Sequence, residues 1–248
     1  MKNNILKKSL ITLAVLVFWI GVWYISALII DSRILLPTPI DTLEALFELL
    51  SKGEFYLSLL LTLLRVISGL ILGIFLGISL AIATYKVPAL YTLIKPFISV
   101  IRATPVASFI VLLWVLLSGN VLSVVIAVLM VMPIVWQNTF DGFASVPKEL
   151  KEVLEIYPVS FKRRFKVLYM PILSGYIYPA VIMSVGLAWK SEIAAEIIAY
   201  TKNSIGMYIN DAKSFALTPS VFALTAVVII LSLSLEFLTK RMLRGVRK

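Results

Sequence analysis

The chain has 248 residues, a net charge of +10, a hydrophobic fraction of 60% and only 15% charged residues. Soluble domains contain about 45–50% apolar and about 25% charged residues, so this composition excludes a soluble fold and predicts an integral membrane protein. The sequence has no Cys and no His, which excludes thiolate chemistry, disulfides and histidine metal sites within it. We expect no catalytic residue, metal site or bound cofactor on this chain.

Six apolar runs are long enough to cross a bilayer, which takes about 20 helical residues. These runs are Leu10–Ile30, 57–83, 105–117 with a preceding segment from 88, 121–136, 172–194 and 219–237. Prolines and basic residues interrupt the first half of the third run, so we expect that span to be kinked or to begin late. The predicted fold is an all-α polytopic membrane protein with about six transmembrane helices.

The basic residues lie next to the apolar runs and do not form a separate face, so we expect no nucleic-acid partner. They cluster before the first run, between the second and third, between the fourth and fifth, and after the sixth, whereas segment 31–54 is mostly acidic. Lys and Arg accumulate on the cytoplasmic side of membrane proteins. We therefore predict a multi-pass protein of the cell membrane, in contact with the lipid bilayer, with both termini cytoplasmic.

An external helix is predicted directly after the first span. Thr38 suits the N-cap, Pro39 the first helical position, and Asp41 the third, where its carboxylate completes a capping box. The helix should run from Pro39 to about Ser51.

The long basic loop at 145–167 is also predicted to be helical, with Ser145 as its cap and Pro147 in the first turn. Pro158 should break it into two short helices that meet at 157–160.

Three glycines in the second span, Gly69, Gly73 and Gly77, recur at four-residue spacing and therefore share one helix face. Small residues at this spacing let two helices approach closely in lipid. Packing inside the subunit is favoured over a gating seam.

The loop also carries a family pattern. Glu152, Val153 and Leu154 are followed by Pro158, and Pro171 stands 19 positions after Glu152. This segment resembles the cytoplasmic coupling loop of ABC importer permeases, which has Glu-Ala-Ala, a Gly three residues on, and a closing hydrophobic-Pro pair. Val153, Leu154 and Pro158 depart from that pattern, but the spacing is kept.

Segments 36–39, 62–77, 138–142 and 186–196, together with Gly206, are similar to one branch of these permeases. That branch handles nitrate, sulfonates, taurine and thiamine-precursor pyrimidines. The resemblance implies a type I importer subunit that pairs with a second copy of itself, two ABC ATPase subunits and an extracytoplasmic substrate-binding protein. ATP and Mg would be bound by the ATPase, because this sequence has no Gly-x-x-x-x-Gly-Lys-Ser/Thr phosphate loop.

In family terms, the docking tip of the coupling loop runs from Tyr157 to Lys162, with Ser160 and Phe161 as the main contacts. Glu152 would act as a structural brace, and Pro171 would mark the return to the membrane. The proposed docking residues are Glu152, Tyr157, Pro158, Val159, Ser160, Phe161, Lys162 and Pro171.

Ionisable residues within apolar spans are costly and should be paired or face water. Arg65 of the second span lies at a depth where it could meet Glu192 or Glu196 of the fifth, either as a structural ion pair or in the translocation path. Lys190 is predicted to face that path and attract an anionic substrate. Trp189 and Asn138 are further candidates, although tryptophans usually serve as interface anchors or packing, and Asn138 suits a polar contact between helices.

The predicted organisation has three parts: an N-terminal span and external helix (1–56), a permease core (57–240) with coupling loop 145–171, and a basic cytoplasmic tail (241–248). The substrate should be a small anionic or heteroaromatic solute. A stand-alone secondary transporter is the alternative, but it would need an internal repeat and midplane carboxylates. A membrane-embedded enzyme would need clustered catalytic residues.

Overall fold

The computed structural model describes residues 2–157 and 159–246, in which the regular structure is entirely helical. The helices are α1 (Lys2–Ile30), α2 (Pro39–Leu50), α3 (Gly53–Lys86), α4 (Pro88–Ala103), α5 (Val106–Trp114), α6 (Gly119–Ala144), α7 (Lys148–Ile156), α8 (Phe161–Arg164), α9 (Met170–Ile198), α10 (Ile205–Ser214) and α11 (Thr218–Val246). A π-helical turn, Phe165–Tyr169, joins α8 to α9. The predicted all-α class is confirmed.

Five stretches of the described chain are long and apolar enough to cross a membrane: Leu10–Ile30, Gly53–Lys86, Gly119–Ala144, Lys162–Ile198 and Thr218–Leu243. Helices α4 and α5 pass the same test only as a pair, with a bend of 100° between them. The bend falls at Thr104, which is extended (φ −82°, ψ 131°) because the following Pro105 disfavours a helical conformation there. The expected total of about six is confirmed, and the third span is broken.

The long helices form a bundle centred on α3, α6 and α9, with α6 packed between the other two. Helices α2 and α10 lie at one end, here called the α2 end, and α7 lies at the opposite end, here called the α7 end. Helix α1 is attached at the edge, where Trp23 donates to the Pro37 carbonyl at 3.0 Å and stacks on Phe222. From Leu10 to Ile30, α1 is apolar and mostly exposed, which suits contact with lipid.

The capping box of α2 is present as predicted. The Asp41 N–H donates to Thr38 Oγ1, and the Thr38 N–H donates to Asp41 Oδ2, each at 3.1 Å. The Thr38 hydroxyl, the Thr38 N–H and the charge of Arg33, whose guanidinium lies 3.0 Å away, hold the pKa of the Asp41 carboxyl below its usual value. The helix ends at Leu50, one residue before the predicted end.

The glycine face of α3 packs against α6. A Cβ on any of the three glycines would lie 2.5–2.8 Å from a side chain of α6, closer than real carbon atoms approach. The facing residues are Gly69, Gly73 and Gly77 on α3, and Ala127, Val131 and Val135 on α6. The motif therefore packs two helices of the same subunit, as the sequence favoured.

Two expectations for the 145–171 segment are wrong. Ser145 does not cap the loop helix: α6 runs to Ala144, so Ser145 lies in its last turn and donates to the Gly142 carbonyl at 2.9 Å. The position before α7 is occupied by Pro147, which makes no side-chain cap.

The second loop helix is also not short. It continues through the π-helical turn into α9, where the Met170 N–H bonds to the Phe165 carbonyl and the widened turn accommodates the missing N–H of Pro171. The helix that contains the fifth span therefore begins at Lys162, ten residues before the apolar run that was predicted from 172.

The close approach of α3 and α6 predicts that one added methyl group lowers the stability of the protein. We expect Gly69→Ala to destabilise the protein by about 1–3 kcal/mol, because its Cβ would overlap the Ala127 side chain and force the helices apart. Thermal unfolding in detergent micelles would measure the loss. Gly175→Ala is the control, since a Cβ there meets nothing within 4 Å; equal melting temperatures for the two variants would contradict the packing role.

Candidate functional site

A buried ion pair joins α3 to α9 near the α2 end. Arg65 Nη1 lies 2.7 Å from Glu196 Oε1, and the Glu196 side chain is fully buried. The second guanidinium nitrogen donates to Asn120 Oδ1 at 2.9 Å and to the Lys202 carbonyl at 3.3 Å. The sequence left Glu192 and Glu196 as possible partners of Arg65, and in the structure the partner is Glu196.

The carboxylate of Glu196 is satisfied on all sides. Thr62 Oγ1 donates to it at 2.8 Å, and the Gly206 N–H donates to Oε2 at 3.1 Å. Gly206 can approach this closely because it has no side chain: a Cβ there would lie 2.3 Å from the Glu196 Cβ. The cluster therefore ties together α3, the start of α6, α9 and α10, and its contacts are those of a structural anchor.

Glu192 takes no part in the ion pair. Its side chain is fully buried, yet neither carboxylate oxygen has a hydrogen-bond partner among the described residues. The predicted pairing of Arg65 with Glu192 or Glu196 is confirmed for Glu196, and the guanidinium is further occupied by Asn120 and the carbonyls of the turn after α9.

Trp189 and Lys190 are neighbours on α9, but the first is buried and the second is exposed. Trp189 is 1% exposed and packs in the main core with α3 and α6, so packing explains it and a position on an open path does not. Lys190 is exposed, but it does not line the cavity between α4, α6 and α9.

That cavity, of about 390 Å³, opens on the surface where α4, α6 and α9 meet. Its polar lining comes from Arg102, Thr104, Gln137 and Asn138, and its other lining residues are apolar. On α6 the lining extends from Leu129 to Asn138, which places it about 15 to 29 Å from the α2 end of that helix at 1.5 Å per residue. The cavity therefore lies beside the middle of α6 and the part of it nearer the α7 end.

Asn138, one of the sequence candidates, lines this cavity together with its neighbour Gln137. Their hydrogen bonds stay on their own helix: Asn138 Nδ2 donates to the Ile134 carbonyl and Gln137 Nε2 to Asp141 Oδ1, both at 2.8 Å. The expected polar contact between helices is wrong, because these amides face open space. Arg102 and Thr104 were missed by the sequence reasoning, which treated Arg102 only as a topology signal.

The predicted docking segment projects from the α7 end between α6 and α9. Glu152, Val159, Ser160 and Lys162 are exposed, and Tyr157 is 71% exposed. Pro158 and the side chain of Phe161 lie outside the described residues. Pro171 lies in the first turn of α9, so the helix has already begun before the residue that was expected to mark the return to the membrane.

The buried ion pair generates a stability prediction. Arg65→Gln alone should cost about 3–5 kcal/mol, because it leaves the Glu196 carboxylate buried without its cation. The double variant Arg65→Gln/Glu196→Gln should be more stable than Arg65→Gln, as measured by denaturant unfolding in micelles.

The exposed pair Lys52 and Glu48, at 2.8 Å, provides the matched control, and its disruption should change stability little. Additive effects of the two substitutions at Arg65 and Glu196 would contradict the structural role of the pair.

Sequence comparison finds relatives among anion transport permeases. The chain is 28% identical over 207 residues to SsuC of Bacillus subtilis (strain 168), named for aliphatic sulfonates transport, in an alignment that covers 82% of this chain and 74% of SsuC. It is 29% identical to the bicarbonate transport system permease protein CmpB of Synechocystis sp., over 44% of this chain and 40% of CmpB. It is 30% identical to the nitrate import permease protein NrtB of Synechococcus elongatus, over 48% and 43%.

A solved structure shares the fold: a crystal structure of an amino acid ABC transporter with histidines superimposes with a TM-score of 0.57 and 15% identity, covering 75% of this chain and 88% of that chain. The family described as binding-protein-dependent transport system inner membrane component matches residues 69–248, which include the glycine face, the cavity and the exposed segment at the α7 end. The chain therefore belongs to this family of transport permeases.

Proposed function

We propose that this chain is the permease subunit of an ABC importer that carries a small oxyanion and is driven by a separate ATPase docked on segment 145–171. One observation carries the proposal: α7 presents an apolar stripe to solvent. Leu150, Val153 and Ile156 share one face of the helix and are 44%, 49% and 71% exposed. An exposed apolar stripe on an extramembrane helix marks an interaction surface.

The position of this stripe would let a movement of the ATPase reach the membrane-spanning helices. The segment joins α6 to α9 directly, and these two helices are in close contact near it, where a Cβ on Gly142 would lie 3.0 Å from a Leu173 methyl group and 3.3 Å from the Tyr176 side chain. A displacement of the segment would therefore move the ends of α6 and α9 together, as one rigid body.

The charge distribution supports a cytoplasmic location for the α7 end. The α7 end carries the denser group of basic residues, with Lys148, Lys162, Arg163, Arg164 and Lys166, whereas those of the α2 end, Arg33, Lys52, Lys202 and Lys213, are scattered among acidic residues. By the preference of Lys and Arg for the cytoplasmic side, both termini would be cytoplasmic.

The partners follow from this arrangement. Two copies of the chain would enclose the path, two ATPase subunits carrying ATP and Mg would bind at the α7 ends, and a substrate-binding protein would dock at the α2 ends. The chain itself would carry no cofactor.

The substrate class rests on the relatives, whose names refer to sulfonates, bicarbonate and nitrate. All three present a negative charge spread over several oxygens on a small group. We extend that shared chemistry to this chain, with taurine and thiamine-precursor pyrimidines as further members of the substrate range to test.

The docking role of α7 predicts the effect of one added charge. Ile156→Asp should lower the recovery of the partner ATPase in co-purification from membranes by tenfold or more. The reason is that a carboxylate would replace an apolar side chain that the complex would bury. Loss of such a central contact typically costs about 2 kcal/mol of binding free energy. Ser160→Glu should act in the same direction.

Phe215→Asp is the matched control. Phe215 is 74% exposed and lies at the α2 end, so this variant should retain the ATPase at the level of the unaltered chain. Retention of the ATPase by Ile156→Asp, or the absence of any ATPase from the unaltered chain, would refute the proposal.

A further inference from the structure

Arg102 occupies an unusual position for a charged residue. It lies in the last turn of α4, just before the 100° bend into α5, and its exposed side chain lines the cavity between α4, α6 and α9. Ionisable residues within or beside membrane-spanning helices are rare, and they mark a candidate functional site when they face a water-filled cavity.

The cation has no partner of its own. In the part of the chain that the structure describes, Arg102 makes no ion pair and no hydrogen bond, in contrast to Arg65, whose guanidinium is fully occupied. Of the described cavity lining, Arg102 is also the single charged residue. The nearest acid on α6, Asp141, lies one turn beyond the lining and accepts from Gln137. The cavity thus holds one uncompensated positive charge.

The neighbours of Arg102 supply weaker polar groups. Thr104 adds a hydroxyl, and the amides of Gln137 and Asn138 each keep one N–H free after bonding to their own helix. The remaining lining is apolar and includes Met130, Met183 and Leu187. A guanidinium offers two parallel N–H groups that fit two oxygens of one oxyanion, and hydroxyl and amide groups can bond to a third.

From this arrangement we infer that Arg102, with Thr104, Gln137 and Asn138, forms the transit site for a singly charged oxyanion. This inference rests on the proposed function and assigns the anion-binding role to Arg102 in place of Lys190. One cation in an open cavity suits transport, because a transit site must attract its ligand and still release it.

A cation in the last turn of a helix also suits the helix dipole, so a stability measurement alone would not test the inference. A measurement that responds to the charge inside the cavity does test the inference. The sequence has no Cys, so Met183→Cys introduces a single thiol on the cavity wall opposite Arg102, at a side chain that is 65% exposed.

The experiment compares two methanethiosulfonate reagents on this thiol in monodisperse full-length protein: the anionic sulfonatoethyl and the cationic trimethylammonioethyl compound. The ratio of their rates cancels changes in thiol reactivity. Adding Arg102→Gln to Met183→Cys should lower the anionic-to-cationic ratio by about tenfold, the lower limit of electrostatic rate effects in charged clefts. Adding Arg241→Gln, which removes an exposed arginine outside the cavity, should leave the ratio unchanged.

Protection tests the ligand class. Nitrate, bicarbonate and ethanesulfonate should each slow labelling of Met183→Cys, and Arg102→Gln should abolish this protection. Arg102→Lys should keep the charge ratio but weaken the protection, because lysine lacks the planar fork. It also keeps the inference testable if Arg102→Gln does not fold.

Equal ratios for Arg102→Gln and Arg241→Gln, or protection that survives Arg102→Gln, would overturn the inference. Neither result depends on the ATPase. If the unaltered chain with its ATPase showed no ATP-driven uptake, the proposed function would be contradicted. The labelling result on Arg102 would still hold.

Discussion

The buried ion pair between Arg65 and Glu196 holds the α2 end of this bundle together. In lipid no water is available to solvate an unpaired charge, so the guanidinium and the carboxylate must find protein partners. They do so by drawing in Thr62 of α3, Asn120 of α6 and the backbone of Gly206. Because these partners come from different helices, they hold α3, α6, α9 and α10 in one arrangement at the α2 end.

Along the rest of the bundle, close packing between α3, α6 and α9 stands beside an opening next to α4. The glycine face of α3 holds α6 at close distance, as the 2.5 Å approach at Gly69 shows. Beyond it, the break at Thr104 separates α4 from α5 and leaves a cavity that contains Arg102. At the α7 end the chain leaves the bundle and exposes apolar side chains such as Ile156. In the proposed function, force enters at this last point and changes a cavity whose walls belong to α4, α6 and α9.

Local rules predicted the fold well. The capping box at Thr38, the break before Pro105 and the face of Gly69, Gly73 and Gly77 each depend on neighbouring residues or one helix period, and each is present. One local expectation failed, the cap at Ser145, because α6 runs on to Ala144. The other points were left open or missed because distant contacts decide them. Glu192 and Glu196 are one turn apart, and only the turn after α9 determines which of them meets Arg65. No sequence pattern places Arg102 and Asn138 in one cavity, although an ionisable residue next to a membrane span is a recognised sign of a functional site.

The most direct test of the account is a cryo-electron microscopy structure of the chain, purified with its ATPase, in a lipid nanodisc. We expect two copies related by a twofold axis, with their Arg102 cavities facing each other across it and an ATPase subunit covering Leu150, Val153 and Ile156 of each copy. A complex in which the Arg102 cavities face lipid, or in which α7 lies on the membrane surface without an ATPase, would contradict it.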